Sequence, residues 1–250
     1  MPRTGIWRTS LASLWTWSML LVALIVVFPF TLIWRIIGYP VDPPNYSGGR
    51  LFRCAAIWCV GLTPRWHFAI RGKAPANPRL PYVVVANHES FADILLLCYL
   101  PWEMKWLSKI EIMWLPIIGW SMWAARDVGV KRGFAKSARQ AMAVCRKRLE
   151  ARVSVMIFPE GTRAPTPEML PFRDGAFRLA MEAGVPILPL AIHGTRDAIA
   201  KHDWRINPAR AIVEILEPEP TAGVTDIEVL KARVRARIET ARARLAAEGA

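Results

Sequence analysis

Between Arg8 and Arg35 the chain runs for 26 residues, Thr9 to Trp34, without a charge, and Met19 to Phe28 inside that run is unbroken apolar sequence. A helix of this length can cross a hydrocarbon core of about 30 Å, so the fold must bury the segment or give it to lipid. A secretory leader would have a shorter apolar region and then a small-x-small cleavage site. This run instead continues Arg-Ile-Ile-Gly-Tyr-Pro40, and it is read as a retained anchor. Pro29 within it, and a second apolar stretch from Leu51 to Leu62 beyond the turn-rich Pro40 to Gly49, leave two forms open. One is a single transmembrane span; the other is a kinked hairpin that dips into one leaflet. Arg3 and Arg8 on one side face Arg35, Arg50 and Arg53 on the other, so flanking charge sets no orientation.

Composition narrows the partners. A chain that is 53% hydrophobic and 21% charged is not disordered, and 250 residues suffice for a sizeable core. Its 33 Lys and Arg against 20 Asp and Glu imply anionic partners: nucleic acid, lipid headgroups or phosphorylated substrates. No arrangement of Lys, Arg and aromatics matches an RNA- or DNA-binding module, which sets nucleic acid aside. Eleven of the twelve tryptophans, Trp7 to Trp123, lie in the first half of the chain, and Trp favours the headgroup layer. Within Pro101 to Pro116, Trp102, Trp106 and Trp114 mix with Lys105 and Lys109, as in a surface-lying amphipathic stretch or a core helix with a wet edge. Cys54, Cys59, Cys98 and Cys145 form no CxxC pair, and read as reduced thiols of a cytosol-facing protein with no metal site.

From Arg65 the periodicity changes. Strands are expected at Trp66 to Arg71, Tyr82 to Ala86, Val128 to Lys131, Val153 to Phe158, Ile187 to Ile192 and Ala211 to Leu216. Helical spacing falls at Phe91 to Leu100, Phe134 to Glu150 and Gly175 to Glu182. This alternation predicts an α/β fold, a central mixed sheet flanked by helices and preceded by the membrane-anchoring helical segment. The expected division is residues 1–64 as anchor, 65–220 as the main domain, with the boundary between Pro64 and Pro78, and 221–250 as a terminal basic helix. That helix opens on Thr225-Asp-Ile-Glu228, a capping-box pattern, and carries Leu230, Val234, Ile238, Ala241 and Leu245 on one stripe. Its other face, Lys231, Arg233, Arg235, Arg237, Arg242 and Arg244, fits either a membrane surface or a solvated face of a docked helix.

Two loops that follow strands carry chemistry. His88 and Asp93 are five residues apart, about 140° round a helix, so both cannot be helical and face one point. With His88 in the loop and Ser90 as N-cap, Asp93 falls in the first turn and can reach back to the imidazole. Such a pair can take a proton from a hydroxyl, the carboxylate fixing the tautomer; the same spacing also makes a plain capped turn. In Phe158-Pro-Glu-Gly-Thr-Arg163, Arg163 offers a planar fork for phosphate, Thr162 a hydroxyl, and the Gly161 turn free N–H groups, with Glu160 orienting the arginine or a polar substrate. A simple turn would also account for Pro159 and Gly161. Lys109 and Arg132 lie near apolar turns, and each alone reads equally as surface charge.

Taken in order, Asn87-His88-x4-Asp93, Lys109 with Pro116-x-x-Gly119, Val130-Lys-Arg132, Phe158-Pro-Glu-Gly-Thr-Arg163 and Val185-Pro-Ile-Leu-Pro189 resemble the glycerolipid acyltransferases, specifically 1-acylglycerol-3-phosphate acyltransferases. The resemblance covers residues 65–220; Lys131-Arg132 stands where that family usually has an acidic-basic pair. It implies transfer of a fatty acyl group from coenzyme A or acyl carrier protein, with no further cofactor and no metal, to the sn-2 hydroxyl of lysophosphatidic acid; the alternatives are another acceptor (a lyso-aminolipid, another lysophospholipid or glycerol 3-phosphate) or a non-catalytic lipid-binding membrane protein. It implies His88 as general base, Asp93 as its partner, and Arg163 on the acceptor phosphate. Glu160, Gly161 and Thr162 would shape that loop, and Lys109 or Arg132 would add charge. It also places the enzyme at the inner or cytoplasmic membrane, with its catalytic domain facing the cytoplasm and membrane lipid as partner.

Overall fold

The computed structural model describes residues 3–63, 65–200 and 203–248, with side chains from residue 10 onward. The side chains of Arg3, Trp7 and Arg8, and the Pro64 end of the expected boundary, lie outside the described residues. The charge-free run lies within one helix, α1 (Arg3–Ile37), and Pro29 does not break it. A second helix, α2 (Tyr46–Gly61), folds back against it. The reversal is built by Asn45 in a left-handed conformation (φ 52°) and by Asp42, whose carboxylate accepts the N–H groups of Tyr46 and Ser47, both at 2.8 Å. Those donors would otherwise be orphans of the first helical turn. Leu20, Ala23, Leu24 and Val27 of α1 pack on Phe52, Ala55 and Cys59 of α2, and on Met122 and Ala125 further on. The two apolar stretches therefore pack on each other as a helical hairpin.

The body is a seven-stranded sheet in the order β1-β7-β6-β2-β5-β3-β4. Its strands are β1 (Trp66–Arg71), β2 (Val83–Ala86), β3 (Met104–Lys109), β4 (Val128–Val130), β5 (Ser154–Ile157), β6 (Ile187–His193) and β7 (Ala209–Ile215). Between and after them come α3 (Ala92–Leu97), α4 (Ile110–Met113), α5 (Ile118–Ala124), α6 (Ala135–Glu150), α7 (Gly175–Ala183) and α8 (Ile227–Ala247). Neighbouring strands run parallel except β6 and β7, so the sheet is mixed, as expected. β2 lies at its centre between β5 and β6, and a strand buried on both faces reads as a continuous apolar run. Val84 and Ala86 face one core with Leu96 and Trp106; Val83 and Val85 face the other with Phe177 and the α8 stripe.

The segment 101–116 is the main correction. Its first half is a strand, β3, with α4 after it, and not an amphipathic helix. The charges that disguise the strand are buried. The Lys105 ammonium donates to Glu103 (3.0 Å) and to the Asn45 carbonyl (2.8 Å), while Arg53 of α2 grips Asp127 with two bonds, 2.6 and 3.0 Å, and lies 3.6 Å from Glu103. This cluster ties the hairpin to the sheet.

At the other end, α8 docks its stripe of Leu230, Val234, Ile238, Ala241 and Leu245 into the second core. Its cap is Asp226, accepting from the Glu228 N–H at 2.8 Å, and not the Thr225 of the capping-box pattern. The basic face is occupied within the molecule. Lys231 pairs with Asp174 and Glu228, Arg233 and Arg237 with Glu219, Arg242 with Glu89, and Arg244 with Glu214. That favours the docked helix over the membrane-surface helix.

Candidate active site

The C-terminal end of the central strand β2 is the natural place for a site in such a sheet. Asn87 extends the strand with its side chain, exchanging two hydrogen bonds with the backbone of Ile192 at 2.8 and 2.9 Å. His88 then leaves the sheet in a loop, as the spacing requires, and α3 starts at Ala92 with Phe91, not Ser90, at the cap position. Ser90 Oγ donates to the Ile199 carbonyl at 2.8 Å and still accepts the N–H of Ala92, the first residue of α3, at 3.3 Å.

Asp93, fully buried in the first turn of α3, reaches back. Its Oδ2 lies 2.8 Å from His88 Nδ1 and accepts the N–H groups of Glu89 (2.7 Å) and Ser90 (3.0 Å). A carboxylate oxygen that accepts two N–H groups is an acceptor for the ring as well, so Nδ1 holds the proton and Nε2 presents its lone pair. The imidazole stacks on Phe158 (3.9 Å between centroids, 14° between planes), and Trp106 meets Phe158 edge-on. The ring is thus held at Nδ1 and against one face, while its side chain keeps 10% exposure.

The second loop supports the first. Glu160 is buried, with Oε1 accepting the His88 N–H at 2.7 Å and Oε2 the Leu170 N–H at 2.8 Å. Burial pushes its carboxyl above the usual range, while the His88 and Leu170 N–H groups work in the other direction. This corrects the expectation that Glu160 orients an arginine or substrate: the contacts of its carboxylate are with backbone, and it is a brace beneath His88. Gly161 adopts φ 73°, and a Cβ there would come within 2.8 Å of Arg173 Nε. The positive φ calls for glycine, and a Cβ would also have to push the Arg173 side chain aside.

A cleft of ≈ 370 Å³ opens beside this turn, walled by Lys131, Arg132, Phe134, Phe158, Gly161 and Arg173. Desolvation, and then the like charges of Arg173 and Arg163, push the Arg132 guanidinium below its ordinary value, with Glu111 opposing. Arg132 thus lies in the field of two further guanidiniums, and guanidinium forks of this kind match an anion with several oxygens. Thr162 lies in the same turn, half-buried. Lys109 is not brought in: at the end of β3 it pairs with Glu111 at 3.8 Å and forms no part of the cleft wall. Arg173 escaped sequence reading, since it sits in an aperiodic loop, Leu170-Pro-Phe-Arg173, whose only signal is the proline before it.

Residues 67–193, from β1 to the end of β6, match the family model described as Acyltransferase, just over half of the chain. The chain belongs to the acyltransferase family. Among its relatives, human 1-acyl-sn-glycerol-3-phosphate acyltransferase alpha is 37% identical over 170 residues, 66% of this chain and 60% of the human protein. The 1-acyl-sn-glycerol-3-phosphate acyltransferase of Cocos nucifera is 30% identical over 200 residues, 76% of this chain and 63% of that one. The chain thus spans roughly three fifths of the length of these two relatives. In fold it is similar to the crystal structure of the 1-acyl-sn-glycerophosphate (LPA) acyltransferase, PlsC, from Thermotoga maritima. The TM-score is 0.78 at 24% identity, with 96% of this chain and 97% of that one covered. The matched region contains both loops of the site, His88 to Asp93 and Phe158 to Arg163.

Proposed function

We propose that this acyltransferase moves a fatty acyl group from a thioester, of coenzyme A or acyl carrier protein, to the sn-2 hydroxyl of lysophosphatidic acid, giving phosphatidic acid. The observation that carries the reading is the His88–Asp93 pair at the end of β2, its imidazole stacked on Phe158, which also walls the cleft of Arg132 and Arg173. The acceptor hydroxyl gives its proton to His88 Nε2 as its oxygen attacks the thioester carbonyl. As the tetrahedral species collapses, the C–S bond breaks and the imidazolium returns the proton to the departing thiolate. Asp93 holds the tautomer and stabilises the cation, and general-base help of this kind contributes about 10²- to 10⁴-fold. Arg163, Arg132 and Arg173 receive the acceptor phosphate, and no acyl-enzyme is needed.

A lipid acceptor calls for a site at the membrane face. The outer face of α1 exposes Leu14, Leu21, Ile25, Phe30 and Ile33, and Trp114, Trp120 and Trp123 are exposed nearby in sequence to α4 and α5. Along its length α1 stays attached to the body: Ser13 accepts the Ile206 N–H at 2.8 Å, Trp17 donates to the Trp204 carbonyl at 2.8 Å, and Phe28 packs on Trp120. A helix docked over such a length cannot cross the bilayer apart from the domain. The reading is therefore monotopic: α1 and α2 sit in one leaflet and the domain lies against its cytoplasmic surface. An apolar cavity lined by Leu20, Leu24, Phe52, Phe91, Ile94 and Met122 between hairpin and domain offers the acyl chains a dry wall.

The test is labelled acyl transfer in detergent micelles, with lysophosphatidic acid beside a neutral monoacylglycerol. Arg163→Ala is expected to lower use of lysophosphatidic acid at least about tenfold, the weight of one charge-assisted phosphate contact. Equal losses on both acceptors would contradict the phosphate assignment.

A further inference from the structure

β2, which leads into His88, lies between the strands that line the Arg132 cleft and those, β6 and β7, that line a second basic cleft. It has a volume of ≈ 360 Å³ and is lined by Glu89, His193, Arg196, Asp197, Arg210 and Arg242, among others. A further cleft of the same size adjoins it, shares Pro208, Ala209 and Arg210, and adds Arg65 and His67. Four guanidiniums therefore face two carboxylates along one continuous groove. The groove begins one residue from the base, at Glu89, and is braced against the same loops. The Ala164 N–H donates to the His88 carbonyl at 2.8 Å, and Arg196 donates to the carbonyls of Ala164 (3.3 Å) and Thr166.

Carbonyls hold Arg196 in place without neutralising it. Arg242 reaches in from α8 to bond Glu89 and the Pro167 carbonyl (2.9 Å), and its Nε–H is buried with no partner. Acyl transfer needs two anionic substrates to meet at His88. The cleft of Arg132 and Arg173 takes one; the groove of Arg196, Arg210 and Arg242 lies on the other flank, beyond Glu89.

We propose that this groove, from Arg242 and Arg196 through Arg210 to Arg65, seats the phosphate groups of the acyl donor, a phosphopantetheine thioester. The assignment rests on the acyl-transfer reading above. Guanidinium forks match phosphate oxygens in pairs, and an extended groove suits a ligand that carries phosphate at a distance from its thioester. The phosphates of coenzyme A and of a carrier-protein prosthetic group share this chemistry.

The experiment uses the full chain in micelles with lysophosphatidic acid and three donors: acyl-coenzyme A, acyl carrier protein, and the phosphate-free acyl thioester of N-acetylcysteamine. Arg210→Glu and Arg65→Glu alter exposed side chains, and a melting curve verifies that each variant is folded; Arg210→Gln serves as the milder change. Each reversal of charge is expected to raise the KM of a phosphate-bearing donor about tenfold or more. The KM for lysophosphatidic acid and the rate with the N-acetylcysteamine thioester are expected to stay unchanged. An effect on coenzyme A alone assigns the groove to nucleotide phosphates, and an equal effect on both carriers assigns it to the shared pantetheine phosphate. Unchanged KM for both carriers, or an equal loss with the phosphate-free thioester, overturns the proposal. If the wild type transfers from none of the three donors, the acyl-transfer reading itself fails and this assignment falls with it, an outcome visible before any variant is made.

Discussion

Replacing Glu160 by glutamine keeps size and shape while removing one of two acceptors. In the native site each carboxylate oxygen takes a backbone N–H, from His88 at 2.7 Å and from Leu170 at 2.8 Å, in a residue only 3% exposed. A glutamine oxygen can serve one of them, and its NH2 then points at the other donor. The loss is one charge-assisted hydrogen bond, with a buried N–H left unsatisfied, together about 2–4 kcal/mol. For a chain of this size that lowers the melting temperature by roughly 4–16 °C. Because the Glu160 bond fixes the peptide that carries the imidazole, kcat is expected to fall about tenfold or more, with little change in KM for lysophosphatidic acid. Thermal unfolding and acyl-transfer kinetics on the same preparation check both halves. A Glu160→Gln enzyme of native stability with a raised acceptor KM would refute the reasoning, since that pattern belongs to a residue touching substrate.

Three further outcomes follow from the geometry. Gly161→Ala is expected to cost about 1–3 kcal/mol and to weaken acceptor binding, because a side chain at φ 73° is strained and its Cβ displaces Arg173; urea titration and acceptor KM report the two effects. Asp127→Ala leaves Arg53 buried without its carboxylate and should lower stability by about 3–5 kcal/mol, read by thermal unfolding in micelles. At the start of α2, burial would push the Asp42 carboxyl up, but the N–H groups of Tyr46, Ser47 and Trp34 outweigh it and hold it below its usual value. A depressed carboxyl stabilises the fold above the unfolded-state value of about 3.9 and loses that contribution as pH falls through the folded value. Asp42→Ala should therefore cost about 1 kcal/mol at neutral pH, with the difference from wild type vanishing in acid, as followed by unfolding across pH.

How far the sequence carried differs from element to element. Strand β2 was plain because Val83, Val84 and Val85 leave no other reading for a segment so short and so apolar. The His88–Asp93 contact was legible because helix geometry forces one of the two residues into the loop. Strand β3 was hidden because Glu103 and Lys105 look like surface charge, and the Asn45 carbonyl, Arg53 and Asp127, about 60, 50 and 20 residues away, make them interior. Glu160 could be placed in the loop by its neighbours, but which way its carboxylate points depends on Leu170, which no local pattern ties to it. Arg173 and Arg242 were invisible for the same reason: each reaches the site through tertiary structure, one from an aperiodic loop and one from the far end of the chain. The hairpin of α1 and α2 was suggested by two apolar stretches, but the side of α1 that meets protein is set by Met122 and Ala125, far along the chain. Deleting residues 1–40 would therefore expose apolar surface on α2 and α5, and release of a clean soluble domain is not the expected result.

The most direct test of the central claim is labelled acyl transfer to lysophosphatidic acid by wild type and His88→Ala, each verified as folded and membrane-bound. Transfer by the wild type and a loss of about 10²- to 10⁴-fold in kcat in the variant are expected, with membrane attachment retained. Transfer at the wild-type rate by His88→Ala would remove His88 Nε2 as the base and contradict the account.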